Sequence, residues 1–470
     1  MAGDKKMCSV KDIYTDYTLY LNKKIAINGW IKNGRFQKKF IFIDLNDGTF
    51  VDDLQIVLKE YEGIDLNEIK DSLTIGAAVK AEGVLVATPK AKKPFELLVS
   101  QIHILGNSSY EYPIQPKKHS KEFLRTVAHL RLRTNLFGAV FRLRNTVSMA
   151  IHHFFQQEGF INVHTPILTG SDGEGAGQLF QVTTLDLNKV PLNANKQIDY
   201  KQDFFGQPAY LTVTGQLEAE AFATAFSKVY TFSPTFRAEN SHTQRHMSEF
   251  WMVEPEMAFY DLGQNIAMAQ KMLKSVISYS LEKNQKDFEF LDQNVENGLI
   301  QRLTTIATLE KFPQITYEET INLLLKSEVN FEQKPFYGGD LATEHEKYLT
   351  DTVFKAPVFV INWPKEIKAF YMKNNPDNKT VAAMDLLVPK VGELIGGSQR
   401  EENLEVLQAK IKAFNISQQD LEWYLDLRRF GTCVHSGFGL GFERLMLYLT
   451  GLDNVRDVIA FPRVPNNISF

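Results

Sequence analysis

The hydrophobic period changes once along this 470-residue chain, and that change divides it. Before residue 108 the apolar residues fall in short runs: IAINGWI (25–31), FIFIDLND (40–47), LQIVL (54–58), AAVKAEGVLVAT (77–88) and FELLVSQIHIL (95–105). β-Branched and aromatic residues fill these runs, and Asn33-Gly34 and Asp47-Gly48 supply turn dipeptides between them. Five strands and one helical spell near 65–73 predict a small closed β-barrel over residues 1–107. Residues 108–130 contain Pro113 and Pro116 and read as a hinge. From 131 to 470 long amphipathic helices alternate with strands. Leu136, Val140, Leu143, Val147, Ile151 and Phe154 recur at spacings of three and four, which gives one helix a buried face, and Gly159 is its stop. INVHTPIL (161–168) reads as a strand broken at Pro166, and the polar segment 184–204 as an inserted loop.

Charge and composition narrow the function. The formal net charge is −4, with 44% hydrophobic and 23% charged residues, which excludes disorder and fibrous repeats. Two cysteines, Cys8 and Cys433, are too few for a disulfide framework or a Cys-rich zinc site. No apolar stretch approaches a membrane span and the N-terminus lacks an apolar leader, so a soluble cytoplasmic protein with no membrane partner is expected. One local asymmetry stands out: residues 117–144 carry eight Lys and Arg against Glu122 alone. Such a run is a solvated face or a phosphate-facing stripe.

No P-loop, GxSxG or HExxH is present. His242 and His246 are four apart but lack further ligands, and a plain polar loop is the better reading. Three other segments carry more chemistry. FRAENSHTQRHMSEF (236–250) reads as a hairpin, either a surface one with solvated charges or one in which an Arg fork holds a phosphate and Phe250 offers a stacking face. GFGLGFERL (437–445) places glycines at alternate strand positions, leaving one face bare for a flat ligand, before a helix start at Arg444. AAMDLLVPKVGELIGGSQR (382–400) supplies Asp385 and Glu393, a carboxylate pair suited to one Mg²⁺ that also binds phosphate.

Taken in order, EGFINVHTPIL (158–168), FRAE…HMSEF and GFGLGFER resemble the three signature motifs of class II aminoacyl-tRNA synthetases. With a barrel of the OB kind ahead of them, the chain resembles the aspartyl, asparaginyl and lysyl subgroup over nearly its whole length. The resemblance implies an α+β protein: an N-terminal OB-fold anticodon-binding domain (1–107), a hinge (108–130) and a class II catalytic domain (131–470), an antiparallel sheet flanked by helices. It also implies a homodimer built partly through the first motif. KMLKS (271–275) resembles the lysine loop of class I synthetases, but it lies in a helical pattern without its partner motif and reads as a plain helix face.

The implied reaction joins an amino acid to ATP as an adenylate and passes it to tRNA. Carried over by position, Arg237 and Arg444 are the catalytic pair, on the α- and γ-phosphates. Glu239, His246, Phe250 and Glu393 complete the ATP site, and Asp385 with Glu393 holds Mg²⁺ with ATP. The Asp385–Glu393 spacing is one residue longer than in aspartyl relatives. Gln216, Ala219, Glu254 and Arg400 form the expected amino-acid pocket. Aspartyl relatives have a lysine at position 219 to neutralise the substrate's carboxylate. An alanine there, with Glu254 kept as an anion, favours the neutral amide. The expected partners are therefore ATP, L-asparagine and tRNA(Asn). An aspartyl enzyme is the alternative, and a non-catalytic RNA-binding paralogue a more distant one. In the barrel, Phe42 stacks the central anticodon base, with Gln55 and Glu96 reading base edges.

Overall fold

The computed structural model describes residues 6–60, 66–91, 93–170, 178–241 and 243–470. Two compact units divide it: Met1–Leu143 with Lys286–Leu291 and Phe470, and Arg144–Gln285 with Asp292–Ser469.

In the first unit, strands β1 (Lys24–Phe36), β2 (Phe40–Asn46), β3 (Leu54–Lys59), β4 (Ala78–Ala87) and β5 (Phe95–Gly106) pair in the order β1-β2-β3-β5-β4. A further β1–β4 pairing closes the barrel, as an OB-fold requires. Ile27, Ile43, Leu45, Ile56, Leu58, Val79, Ala81 and Leu97 point inward and are fully buried. Each buried Val, Leu or Ile among them contributes about 1.5–3 kcal/mol of transfer free energy, which fixes the strand register. At Gly83 a Cβ would fall on the Leu98 carbonyl, so β4 and β5 close tightly there only without a side chain.

Two expectations in this unit are corrected. Asn33-Gly34 is not a turn. Gly34 pairs with Ile43 inside β1, beyond an irregularity between Ile31 and Asn33, and the chain reverses at 37–39, where Gln37 N–H donates to Phe40 O at 2.8 Å. The continuing alternation on both strands extends the ladder past a dipeptide that is only locally turn-prone. The basic run is not a phosphate-facing stripe along its length. Arg131 is buried with its guanidinium 4.3 Å from the Phe137 ring centre, and Arg142 pairs with Asp287 at 2.7 Å. Arg144, in the second unit, pairs with Glu443 at 2.7 Å. Periodicity could not show the two ion pairs, because Asp287 and Glu443 lie more than a hundred residues from Arg142 and Arg144. Lys117 and Lys118 are exposed.

The second unit is built on an eight-stranded sheet. Its central strands are β6 (Lys228–Phe236), β7 (Glu249–Ala258), β8 (Val358–Pro364), β9 (Thr380–Val388), β10 (Gly392–Gln399) and β11 (His435–Gly441). The order runs Gln314–Thr316, β8, β9, β10, β11, β7, β6, Ile161–Asn162, antiparallel except for the two outermost pairs. The helices used below are α1 (Asn135–Gln157), α2 (Gln216–Phe226), α3 (Leu262–Lys283), α4 (Glu422–Arg429) and α5 (Phe442–Thr450). KMLKS lies in α3, where Lys271 pairs with Glu158 and Lys274 donates to Leu309 O. The strand expected over 161–168 is shorter: only Ile161–Asn162 joins the sheet, and Leu168–Thr169 pairs in a separate three-stranded sheet. Pro166 cannot donate to a ladder, so the two pieces part. Among the described residues no helix is long and apolar enough to cross a membrane.

Candidate active site

The hairpin β6–β7 runs in register to its end, with Thr235 opposite Phe250 and Phe236 opposite Glu249. Arg237 N–H donates to Ser248 O at 3.0 Å just beyond, so the hairpin carries Arg237 and Phe250 side by side. The Arg237 guanidinium lies 5.5 Å from the Phe250 ring centre. Both line a cleft of about 810 Å³, its open mouth included, with Glu239, His246, Glu393 and Arg444. All six residues assigned from the sequence to the ATP site thus border one cavity. His246 Nδ1 faces Ser241 Oγ at 3.1 Å and Thr243 Oγ1 at 2.5 Å. Burial, and then the Arg444 charge, pull His246 below its ordinary pKa, so the imidazole is neutral at pH 7. His242 lies outside the described residues.

The alternate glycines divide their work. Gly439 and Gly441 line the cleft, while a Cβ at Gly437 would land on the Glu256 carboxylate. The first therefore form part of the bare face expected from the sequence, and the third is a packing requirement. At the start of α5, Arg444 Nη1 donates to Glu393 O at 2.9 Å and Oε2 at 3.1 Å. Its neighbour Glu443 accepts from Trp251 N–H at 2.9 Å and pairs with Arg144.

Asp385 on β9 stands opposite Gly396 on β10, and the ladder slips between Leu386 and Leu387 so that Leu387 faces Glu393. Strict alternation would send Glu393 to the other face of β10 from Gly396. Instead Glu393 Oε1 and Asp385 Oδ1 lie 3.1 and 3.6 Å from the point a Gly396 Cβ would occupy. Burial pushes Asp385 up to about 6, although Lys368 at 2.6 Å opposes the shift. Burial alone would also raise Glu393, but Arg444 and Lys368 hold it below its ordinary value. Two hard oxygen donors above a glycine fit the partial protein shell that Mg²⁺ takes beside phosphate.

The sequence reading missed Arg245 and Glu346 at this end. Arg245 lines the cleft and pairs with Glu346 at 3.4 Å, from a helix about a hundred residues away. Only the arginine had a local signal, inside the second motif.

The expected amino-acid pocket is buried at the start of α2. Glu254 on β7 accepts from Thr214 Oγ1, from Gly215 N–H at 3.1 Å and from Thr231 Oγ1 at 3.3 Å. Burial nevertheless pushes its carboxyl up. Arg400, at the end of β10, is gripped by Glu256 and donates to Ser398 Oγ at 2.8 Å. Ala219 belongs elsewhere: its methyl is fully buried in an apolar cluster with Val163, Ala223 and Val229. One residue on, a helix turns by about 100°, and the polar group it brings round is Glu220, 3.9 Å from Arg400. Glu220, absent from the sequence reading, accepts from Arg428 (2.8 Å), Tyr424 OH (2.8 Å) and Gln216 Nε2 (3.1 Å), and lies 2.9 Å from His435 Nε2. A carboxylate inside an apolar helix stretch was its only local signal.

On the barrel, Phe42, Gln55 and Glu96 come together. Gln55 Nε2 donates to Glu96 Oε2 at 2.8 Å, and Arg35 donates to Gln55 at 3.3 Å while its guanidinium lies 5.6 Å from the Phe42 ring centre. Phe40 stacks beside Phe42 at 6.2 Å.

Two arginines and an aromatic face around one cleft, on a glycine-bared antiparallel sheet, are the makings of a nucleotide site. The comparisons agree. A family of class II tRNA synthetases (D, K and N) matches residues 120–465, and an OB-fold nucleic acid binding domain matches residues 25–105. The chain belongs to the class II tRNA synthetases of that group. Within it, the chain belongs with the asparagine–tRNA ligases. It is 62% identical to the enzyme of that name from Phytoplasma australiense over 97% of this chain and 99% of that one. It is 54% identical to that of Acholeplasma laidlawii over 98% and 99%. Its fold matches asparaginyl-tRNA synthetase from Pyrococcus horikoshii complexed with asparaginyl-adenylate, with TM-score 0.83, 32% identity and coverage of 96% and 97%.

Proposed function

We propose that this chain uses the cleft and the buried pocket beside it to activate L-asparagine with ATP and transfer it to tRNA(Asn). The α-carboxylate of asparagine attacks the α-phosphorus of ATP, and pyrophosphate leaves. The carboxylate is already ionised at neutral pH, so the step needs no general base and depends on alignment and charge stabilisation. Arg237 takes the α-phosphate, Arg444 and Phe250 hold the adenine between them, and Glu239 and His246 complete the ATP contacts. Mg²⁺ on Asp385 and Glu393 neutralises phosphate charge when bound. The 3′-hydroxyl of the tRNA's terminal adenosine then attacks the aminoacyl carbonyl, and AMP leaves. Phe42, Gln55 and Glu96 meet the anticodon from domain 1–107, 108–130 is the hinge, 131–470 the catalytic domain, and two chains pair through 158–168 as a cytoplasmic homodimer.

The charge balance of the pocket carries the choice of asparagine. Glu220 and Glu256 engage two guanidinium groups, Arg400 and Arg428, and Glu254, held by Thr214, Gly215 and Thr231, is a third buried carboxyl beside them. That balance welcomes an α-ammonium at Glu254 and Gln216. It leaves no spare cation for a side-chain carboxylate. An amide fits: its N–H₂ donates to Glu220, and its oxygen accepts from Arg400, whose five N–H donors exceed those taken by Glu256 and Ser398. ATP–pyrophosphate exchange tests this with asparagine and aspartate supplied separately. Exchange with asparagine alone is expected, falling at least a hundredfold in Arg237→Ala, on the order of the loss of one charge-stabilising donor. Exchange with aspartate would overturn the pocket reading.

A further inference from the structure

Glu220 is fully buried, and the groups that hold it are buried too. Arg428 and Tyr424 reach it from α4, His435 from β11 and Gln216 from its own helix, while Arg400 faces it from β10 and brings Glu256 of β7 with it. A buried ion network is a poor way to stabilise a fold, since apolar residues of the same volume often do as well or better. Arg428 even leaves Nη1 without a hydrogen-bond partner among the described residues. The arrangement has a chemical use. Left to burial alone, Glu220 would take up a proton and present an O–H donor. A neutral carboxyl of that kind pairs with the carboxylate of aspartate as readily as with an amide oxygen, whereas an ionised one accepts from the amide N–H₂ and repels aspartate.

We propose that Tyr424 and Arg428 are positioning residues that hold Glu220 ionised and correctly aimed, and that they set the discrimination of asparagine from aspartate. The inference rests on the reading that Glu220 meets the substrate amide. Burial raises Glu220, but Arg428, His435 and Arg400 outweigh it and bring the group well below its ordinary range.

The test measures pyrophosphate exchange of the full-length protein with asparagine and with aspartate, from pH 6 to 8.5. Wild type is compared with Tyr424→Phe, Arg428→Lys and Glu220→Gln. Tyr424→Phe keeps the ring packing and removes one donor to the carboxylate. It should raise the asparagine KM about tenfold, leave the ATP KM in place and lower the asparagine-to-aspartate ratio of kcat/KM by a similar factor. The loss should deepen as the pH falls. Arg428→Lys should shift the ratio in the same direction if it folds, and Tyr424→Phe decides the matter if it does not. A Tyr424→Phe enzyme with an unchanged ratio at every pH, or with equal kcat losses for both substrates, would overturn the proposal. Glu220→Gln separates the premise: a wild-type ratio there removes Glu220 from recognition altogether. A changed ratio there with an unchanged one in Tyr424→Phe removes only the positioning role.

Discussion

Single side chains at this site are governed by which face of an element they occupy. Ala219 and Glu220 are adjacent, yet one sits in an apolar cluster and the other in the polar network, because a helix separates neighbours by about 100°. The substitution expected to matter from the sequence, Ala219, faces the apolar cluster, and its neighbour Glu220 is the one that faces Arg400. Glu346 gives a testable consequence at this scale. Burial, and then Glu393, push its carboxyl up to about 7, against the lowering effect of Arg245 and Arg444. Between its ordinary pKa and 7 the native state therefore holds more protons than the unfolded state, and Glu346 makes stability fall as pH rises through that window. Glu346→Gln removes the titration, so its Tm relative to wild type should climb from pH 5 to pH 8. A constant difference would show that the burial of Glu346 is relieved in solution.

Among the elements, the hairpin β9–β10 and the strand β11 decide geometry that spacing alone misjudges. The bulge at Leu386 and Leu387 brings Asp385 and Glu393 to one side of Gly396, where strict alternation over their spacing would part them. On β11 the alternation of glycines was legible as a bared face, but only the packing of Glu256 against Gly437 shows that one of them serves Arg400 instead. Gly437→Ala should displace Glu256, cost about 1–3 kcal/mol by overpacking, and lower asparagine exchange. Thermal denaturation and exchange kinetics check both effects together. On the barrel, Phe42 is half-buried beside Phe40 and Arg35. Phe42→Ala should lower kcat/KM for tRNA roughly tenfold or more, by loss of about 1–3 kcal/mol of stacking, while pyrophosphate exchange is unchanged. An undiminished tRNA kcat/KM would take Phe42 out of recognition.

At the scale of the whole molecule, the basic run has a different use from the one its density suggests. Arg131 lies over Phe137, and Arg142 and Arg144 are held by Asp287 and Glu443, so much of the local positive charge is spent inside the fold. Lys117 and Lys118 remain exposed. Replacing both by alanine should weaken tRNA binding uniformly and flatten the dependence of log K on log salt by about 1–2 units, measured by titration across ionic strengths. An unchanged slope would place the tRNA backbone elsewhere on the molecule.

By itself the sequence determined the elements and the motifs, because hydrophobic period, glycine placement and turn chemistry act over a few residues. From these came the five-stranded barrel, the second-motif hairpin and the bared strand before Arg444, and the motifs marked Arg237, Phe250 and Glu393, which line one cleft. Only the tertiary structure decided which charges meet. Glu220 finds Arg428 and Tyr424 about two hundred residues away, Arg245 finds Glu346, and Arg142 and Arg144 find carboxylates in distant helices. The physical reason is one of range: patterning is a local property of the chain. The pairing of buried charges depends on which strands become neighbours in the sheet, and the strand order of the sheet is set by packing the whole core.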